Sequence, residues 1–267
     1  MYLLIVTSLA LFFSSCSGLE KSEKKKIKEK NYLSETIHRS HNEYTFSIEP
    51  PTLANKPLYP WDSKMIGDQV PITKEFFRCK GIDSFQPILI KGPSGSSTFI
   101  QDCDGIDSHS LPIKEGKEHI YPILIDLLNM IQERVNQKVV ITCGHQCPTH
   151  HLFSNPDHKP SSSKHQIGAE VDFYVEGMEA KPEEVLEMIE NYYMKKENTE
   201  LFGKVVRTVN GFSNKEVSVK IVNSSEGRDL DNNHPYPYIC IQVKWDRFTK
   251  KGVFYSWNEA HYNTYKY

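Results

Sequence analysis

A chain of 267 residues with 38% apolar and 25% charged residues and a mean hydropathy of −0.52 has the composition of a globular body, not of a multi-span membrane protein. Its 32 Lys and Arg against 34 Asp and Glu leave a formal charge of −2. A nucleic-acid binder carries a basic excess or a basic face, so nucleic acid is excluded as an expected partner.

In chain order, residues 1–15 (MYLLIVTSLALFFSS) are apolar and uncharged, and two small residues precede Cys16. The run is shorter than the about 20 apolar residues that cross a bilayer and has the length of a secretory signal. It resembles a bacterial lipoprotein signal. That resemblance implies removal of residues 1–15, lipidation of Cys16, and anchoring of the chain to a membrane of the bacterial cell envelope, on the periplasmic or surface side. Residues 20–30 hold six Lys and three Glu, and residues 31–70 are polar with Pro50, Pro51, Pro57 and Pro60. Neither stretch has an apolar period, so residues 16–60 read as a solvated tether and residues 61–267 as the folded domain.

Export permits disulfides. Five cysteines follow Cys16, an odd number that leaves at least one thiol outside any internal pairing. Cys79 and Cys103 lie in separate loop-like segments and are the expected bridge. Cys143 and Cys147 either pair or are simply buried.

Residues 92–97 (GPSGSS) mark a loop or a hairpin tip. From 118 to 137, Ile120, Ile123, Leu124, Leu127, Leu128, Ile131 and Val135 recur at spacings of three and four, which predicts an amphipathic helix with Pro122 in its first turn. A strand is expected over 138–143, a long loop over 144–164 and a second strand over 169–175. In the latter, Ala169, Val171, Phe173 and Val175 share one face and Glu170, Asp172 and Tyr174 the other, leaving one face for helices and one for a cleft. A helix over 182–196 and strands over 204–209, 216–222, 237–245 and 252–262 complete the pattern. The expected fold class is α+β: an antiparallel sheet flanked by helices, forming a single zinc-site domain.

Three stretches carry chemistry: CGHQCPTHH (143–151), SKHQIGAEVDFY (163–174) and WNEAH (257–261). His165 enters a strand from whose polar face Asp172 projects. Such an imidazole and carboxylate can converge on one zinc ion with bonds of about 2.0–2.2 Å. If the last stretch is a strand, Tyr255, Trp257, Glu259 and His261 share a face and His261 supplies a third ligand. Three protein ligands leave a fourth position for water, whose proton Glu259 could take as general base.

The run S-x-H-x-x-G-x-x-x-D at Ser163–Asp172, preceded by I-T-x-G-H-x-x-P at 141–148, resembles the zinc D-Ala-D-Ala peptidases, a group that shares its metal-site plan with lysostaphin-type endopeptidases and the hedgehog signalling domain. The resemblance extends over about residues 118–262. It implies His165, Asp172 and His261 as zinc ligands, Glu259 as the catalytic base, and Gln146, His145, Ser163 and Trp257 as substrate-binding positions. The implied activity is zinc-dependent carboxypeptidase or peptidase hydrolysis of the peptide stems of bacterial peptidoglycan. Two positions depart from the family pattern. Gln146 stands where members carry an Arg for substrate carboxylate or carbonyl groups. Asn258 occupies the place, three residues before the last His, where many members carry an acid. These departures sustain a second expectation, a catalytically silent zinc-containing lipoprotein that binds the cell wall or a protein partner.

Overall fold

A computed structural model of the chain describes residues 65–81, 87–91, 97–103, 105, 110–155, 157, 161–226 and 228–262. The signal, Cys16, the tether and Trp61 lie outside the described residues. Short strands come first: β1 (Ile88–Lys91), β2 (Ser97–Ile100), β3 (Ile113–Lys114) and β4 (Lys117–Glu118). β1 and β2 pair antiparallel across the predicted hairpin tip. Helix α1 (Pro122–Val135), strand β5 (Val139–Cys143), helix α2 (Pro148–Ser154) and strand β6 (Glu170–Val175) follow. Then come helices α3 (Pro182–Met194) and α4 (Lys196–Phe202), strands β7 (Val206–Thr208), β8 (Gly211–Ser213), β9 (Val217–Val222), β10 (Tyr238–Val243), β11 (Trp245–Asp246) and β12 (Lys251–Gly252), and helix α5 (Trp257–Tyr262).

The expected α+β class is observed. A six-stranded sheet runs in the order β5-β6-β10-β9-β8-β7, antiparallel throughout. α1 begins with Pro122 at its first position, where no intrahelical N–H is needed, and ends at Asn136 in a left-handed conformation. Its apolar stripe of Ile123, Leu124, Leu127, Leu128 and Ile131 joins Val185, Ile189 and Tyr193 of α3 in one core with Val171, Phe173, Val175, Ile239, Ile241, Val217 and Val219. Alternation of side chains along each strand therefore sends Glu170, Asp172 and Cys240 to the sheet face away from α1 and α3.

Three expectations need correction. The predicted strand over 252–262 is a two-residue strand followed by helix α5. Both hydrogen-bonding edges of β10 are already taken by β6 and β9, so the sheet offers the C-terminal segment no ladder there. That segment closes a local turn instead, with Ser256 Oγ accepting from Glu259 N and Ser256 O from Ala260 N. The predicted open face of β6 is also absent: all six of its residues are buried, because the segments around 144–147 and 229–232 cover it. Finally, the expected loop over 144–164 contains α2.

Candidate metal centre

His165 is delivered by a 3-10 turn, Lys164–Ile167, whose start is capped by Ser163 Oγ accepting from His165 N. Gly168 ends the turn at φ +66° and donates its N–H back to His165 O. A Cβ at Gly168 would lie 2.8 Å from the carbonyl oxygen of His119, so both the turn and the close approach require glycine. His165 Nδ1 lies 2.7 Å from the carbonyl of Gly144 and donates to it. That bond turns Nε2 toward the carboxylates, 3.5 Å from Asp172 Oδ2 and 3.8 Å from Glu170 Oε1.

Strand β10 brings the next donor. Cys240 is the register partner of Asp172, and its Sγ lies 3.1 Å from Glu170 Oε1. Glu170, Asp172 and Cys240 present ligand atoms within 4.8 Å of one another, as do Cys143, His165 and Asp172. The two groups share Asp172, and either could hold a metal ion. Asp172 Oδ2 accepts from Asn232 Nδ2 at 2.8 Å, while Asp172 Oδ1 is buried without a hydrogen-bond partner. A buried carboxylate oxygen with no donor is costly unless a cation meets it. Asn232 is itself fixed by Thr142 Oγ1 and Asp229 Oδ1, the kind of outer support that ligating carboxylates carry.

The electrostatics agree with a cation site. Burial alone would depress the imidazole of His165, but the charges of Glu170 and Asp172 outweigh it and hold its pKa up at about 10. Burial, followed by the charges of Asp172 and Glu170, pushes the Cys240 thiol far above its ordinary value. The imidazole and the thiol both hold their protons more tightly beside these carboxylates, and a divalent ion could displace them.

The remaining sequence-selected residues are placed elsewhere. His261 is on α5 with Nδ1 donating to Trp257 O at 3.0 Å and its ring stacked on Trp257 at 4.2 Å; no ligand group among the described residues includes it. Glu259 and Trp257 are exposed on the same short helix. Gln146 is buried and faces inward: Nε2 donates to Ser154 Oγ, Asp229 Oδ2 and Asp231 Oδ2, and Oε1 meets His151 Nδ1. His145 is buried and gives its backbone N–H to Phe77 O. Cys79 and Cys103 are brought together, with their sulfurs 3.7 Å apart. Sequence reading missed Cys240 and Glu170 as donors. The available signal was the alternation that puts Glu170 on the face of Asp172; Cys240 needed the register of β10. A groove of about 330 Å³ lined by residues of α3, β7, β8 and β9 includes none of the clustered donors. No protein-family model, curated protein or solved structure matches this chain.

Proposed function

We propose that this chain is a zinc-binding protein of the bacterial cell envelope in which His165, Glu170, Asp172 and Cys240 enclose one zinc ion, and that the ion is structural rather than hydrolytic. Zinc with bonds of about 2.0–2.3 Å sets tetrahedral donors about 3.3–3.8 Å apart. The separations of 3.5 and 3.8 Å from His165 to Asp172 and Glu170 fall in that range, and the 3.1 Å from Cys240 to Glu170 falls just below it. The carrying observation is Glu170, which meets both His165 and Cys240 and so fills the position that a hydrolytic zinc keeps for water. The exposed Glu259 and the inward-turned Gln146 support the same reading. The anchor on Cys16 rests on the sequence of residues 1–16 alone. In this reading the envelope-facing role is binding of the wall or of a protein partner.

The second reading is a zinc peptidase acting on peptidoglycan stems. It is favoured by the Ser163–Asp172 motif and requires the Glu170 carboxylate to give up its place to water. One experiment separates the two. Zinc is counted by elemental mass spectrometry in the full-length chain and in His165→Ala and Cys240→Ser, and each protein is incubated with muropeptides. The structural reading expects about one zinc fewer in each variant and unchanged muropeptides throughout. Cleavage by the parent that is lost in His165→Ala would replace it with the peptidase reading. An equal zinc count in all three proteins would overturn both.

A further inference from the structure

A second cluster of donors lies apart from this centre. Cys79, Cys103 and Cys147 place their sulfurs within 4.8 Å of one another, with Cys79 and Cys147 buried. Two of the three stand in matching Cys-x-Gly sequences, Cys79-Lys80-Gly81 and Cys103-Asp104-Gly105. Their glycines adopt φ +64° and +67°, and each packs on the other segment. A Cβ on Gly81 would lie 2.7 Å from Cys103 O, and one on Gly105 would lie 2.2 Å from Lys80 O. The backbone is therefore built so that the two segments meet and their sulfurs converge. Cys147 arrives from the turn before α2. Its N–H donates to Cys79 Sγ at 3.4 Å, and the N–H of His150 donates to Cys147 Sγ at 3.3 Å.

We propose that Cys79, Cys103 and Cys147 hold a second zinc ion as three thiolates, with His150 or Asp102 closing the fourth position. The Cys79–Cys103 separation of 3.7 Å matches the edge of a zinc–thiolate tetrahedron, about 3.8 Å for Zn–S bonds of about 2.3 Å. Three mutually adjacent sulfurs cannot all pair, so a disulfide leaves one behind, whereas a thiophilic ion uses all three. Binding releases the thiol protons to solvent and needs no oxidant. Both candidates for the fourth position share a ligand group with Cys103, and they touch: His150 Nδ1 lies 2.6 Å from Asp102 Oδ1, while its Nε2 lies 2.8 Å from Asp231 Oδ1. A ligating imidazole whose other nitrogen meets a carboxylate is the usual outer support of a metal site. The ion would pin the loops at 79 and 103 to the 143–147 segment, whose Gly144 carbonyl orients His165.

This inference does not depend on the reading of the His165 centre, and its test keeps the two apart. The full-length chain and the double variant His165→Ala/Cys240→Ser are loaded with zinc under reducing conditions, and the ions are counted by native mass spectrometry. The second site predicts one ion retained in the double variant and its loss on adding Cys147→Ser. Cobalt in the double variant should give a thiolate-to-metal charge-transfer band. Of His150→Ala and Asp102→Ala, the one that loses more than the 10- to 100-fold expected of an outer partner identifies the fourth ligand. Alkylation of the unmodified chain, which needs no variant to fold, should spare Cys79, Cys103 and Cys147 until a chelator is added. Binding of no ion by a folded double variant, unchanged alkylation with chelator, or a Cys79–Cys103 disulfide in the chain as isolated would each overturn the second site. Equal counts in parent and double variant would instead overturn the His165 centre alone.

Discussion

Cys240 and Asp172 stand directly opposite each other in the antiparallel ladder of β6 and β10. Directly opposed residues project from the same sheet face with Cβ atoms about 4.5–5.5 Å apart. The carboxylate and the sulfur therefore converge without any loop having to hold them. Glu170, two residues before Asp172 on the same face, and His165, swung in by the Gly168 turn, complete the cluster.

The support given to Asp172 by Asn232 should be measurable. Asn232 Nδ2 donates to Asp172 Oδ2 at 2.8 Å, the same oxygen that faces His165 Nε2 at 3.5 Å. Removing such an outer partner costs about 10- to 100-fold in metal affinity. Asn232→Ala is expected to weaken zinc by that factor in a competition titration against a chromophoric chelator. An unchanged affinity would remove Asp172 from the ligand set.

Gly168 combines φ +66° with a backbone so close that an added Cβ would lie 2.8 Å from His119 O. Strain of this kind costs about 1–3 kcal/mol. Gly168→Ala should lower stability by that amount in urea denaturation and weaken zinc binding as well, because the same turn carries His165. A loss of stability with full zinc affinity would show that the turn does not position the imidazole.

Asp229 gives the pH dependence. Burial, with the charges of Asp231 and Asp172 added, pushes its carboxyl up to about 7. A carboxyl with a raised folded pKa contributes fully below its unfolded value, about 3.9, and loses that contribution as pH rises through the folded value. Asp229 thus disfavours the folded state increasingly from about pH 4 to about pH 7. Asp229→Asn, which cannot ionise, should gain stability relative to the parent across that window in a series of urea melts. A difference between the two proteins that stays constant with pH would refute this.

Arg247 meets Glu216 through Nε and Nη2 at 2.6 and 2.8 Å, and Tyr193 Oη donates to the same carboxylate at 2.9 Å. Glu216 is fully buried. Taking one partner from a buried pair leaves an uncompensated charge and costs about 3–5 kcal/mol. Arg247→Ala is expected to fall in that range by chemical denaturation, and Arg247→Ala combined with Glu216→Gln to recover part of it. A loss below about 1 kcal/mol would mean that the carboxylate is protonated or hydrated in the variant.

Local pattern was sufficient for much of this protein. The three-and-four spacing from Ile120 to Val135 encodes α1, and Pro182 with the two glutamates after it encodes the start of α3. The alternation through 169–175 encodes β6 and the shared face of Glu170 and Asp172. The His165–Gly168–Asp172 spacing already placed an imidazole beside a carboxylate, since all three lie within one turn-and-strand unit. What only the tertiary structure decided depends on register and on competition for hydrogen bonds. Cys240 reaches Asp172 because β10 pairs with β6 in one particular register, which no local period encodes. His261 does not join the cluster because the C-terminal residues close into α5, where its ring stacks on Trp257 instead. Gln146 faces inward because Asp229 and Asp231, distant in sequence, arrive beside it as acceptors. The meeting of Gly81 with the backbone at Cys103 and of Gly105 with that at Lys80 is likewise a long-range event that only the folded chain brings about.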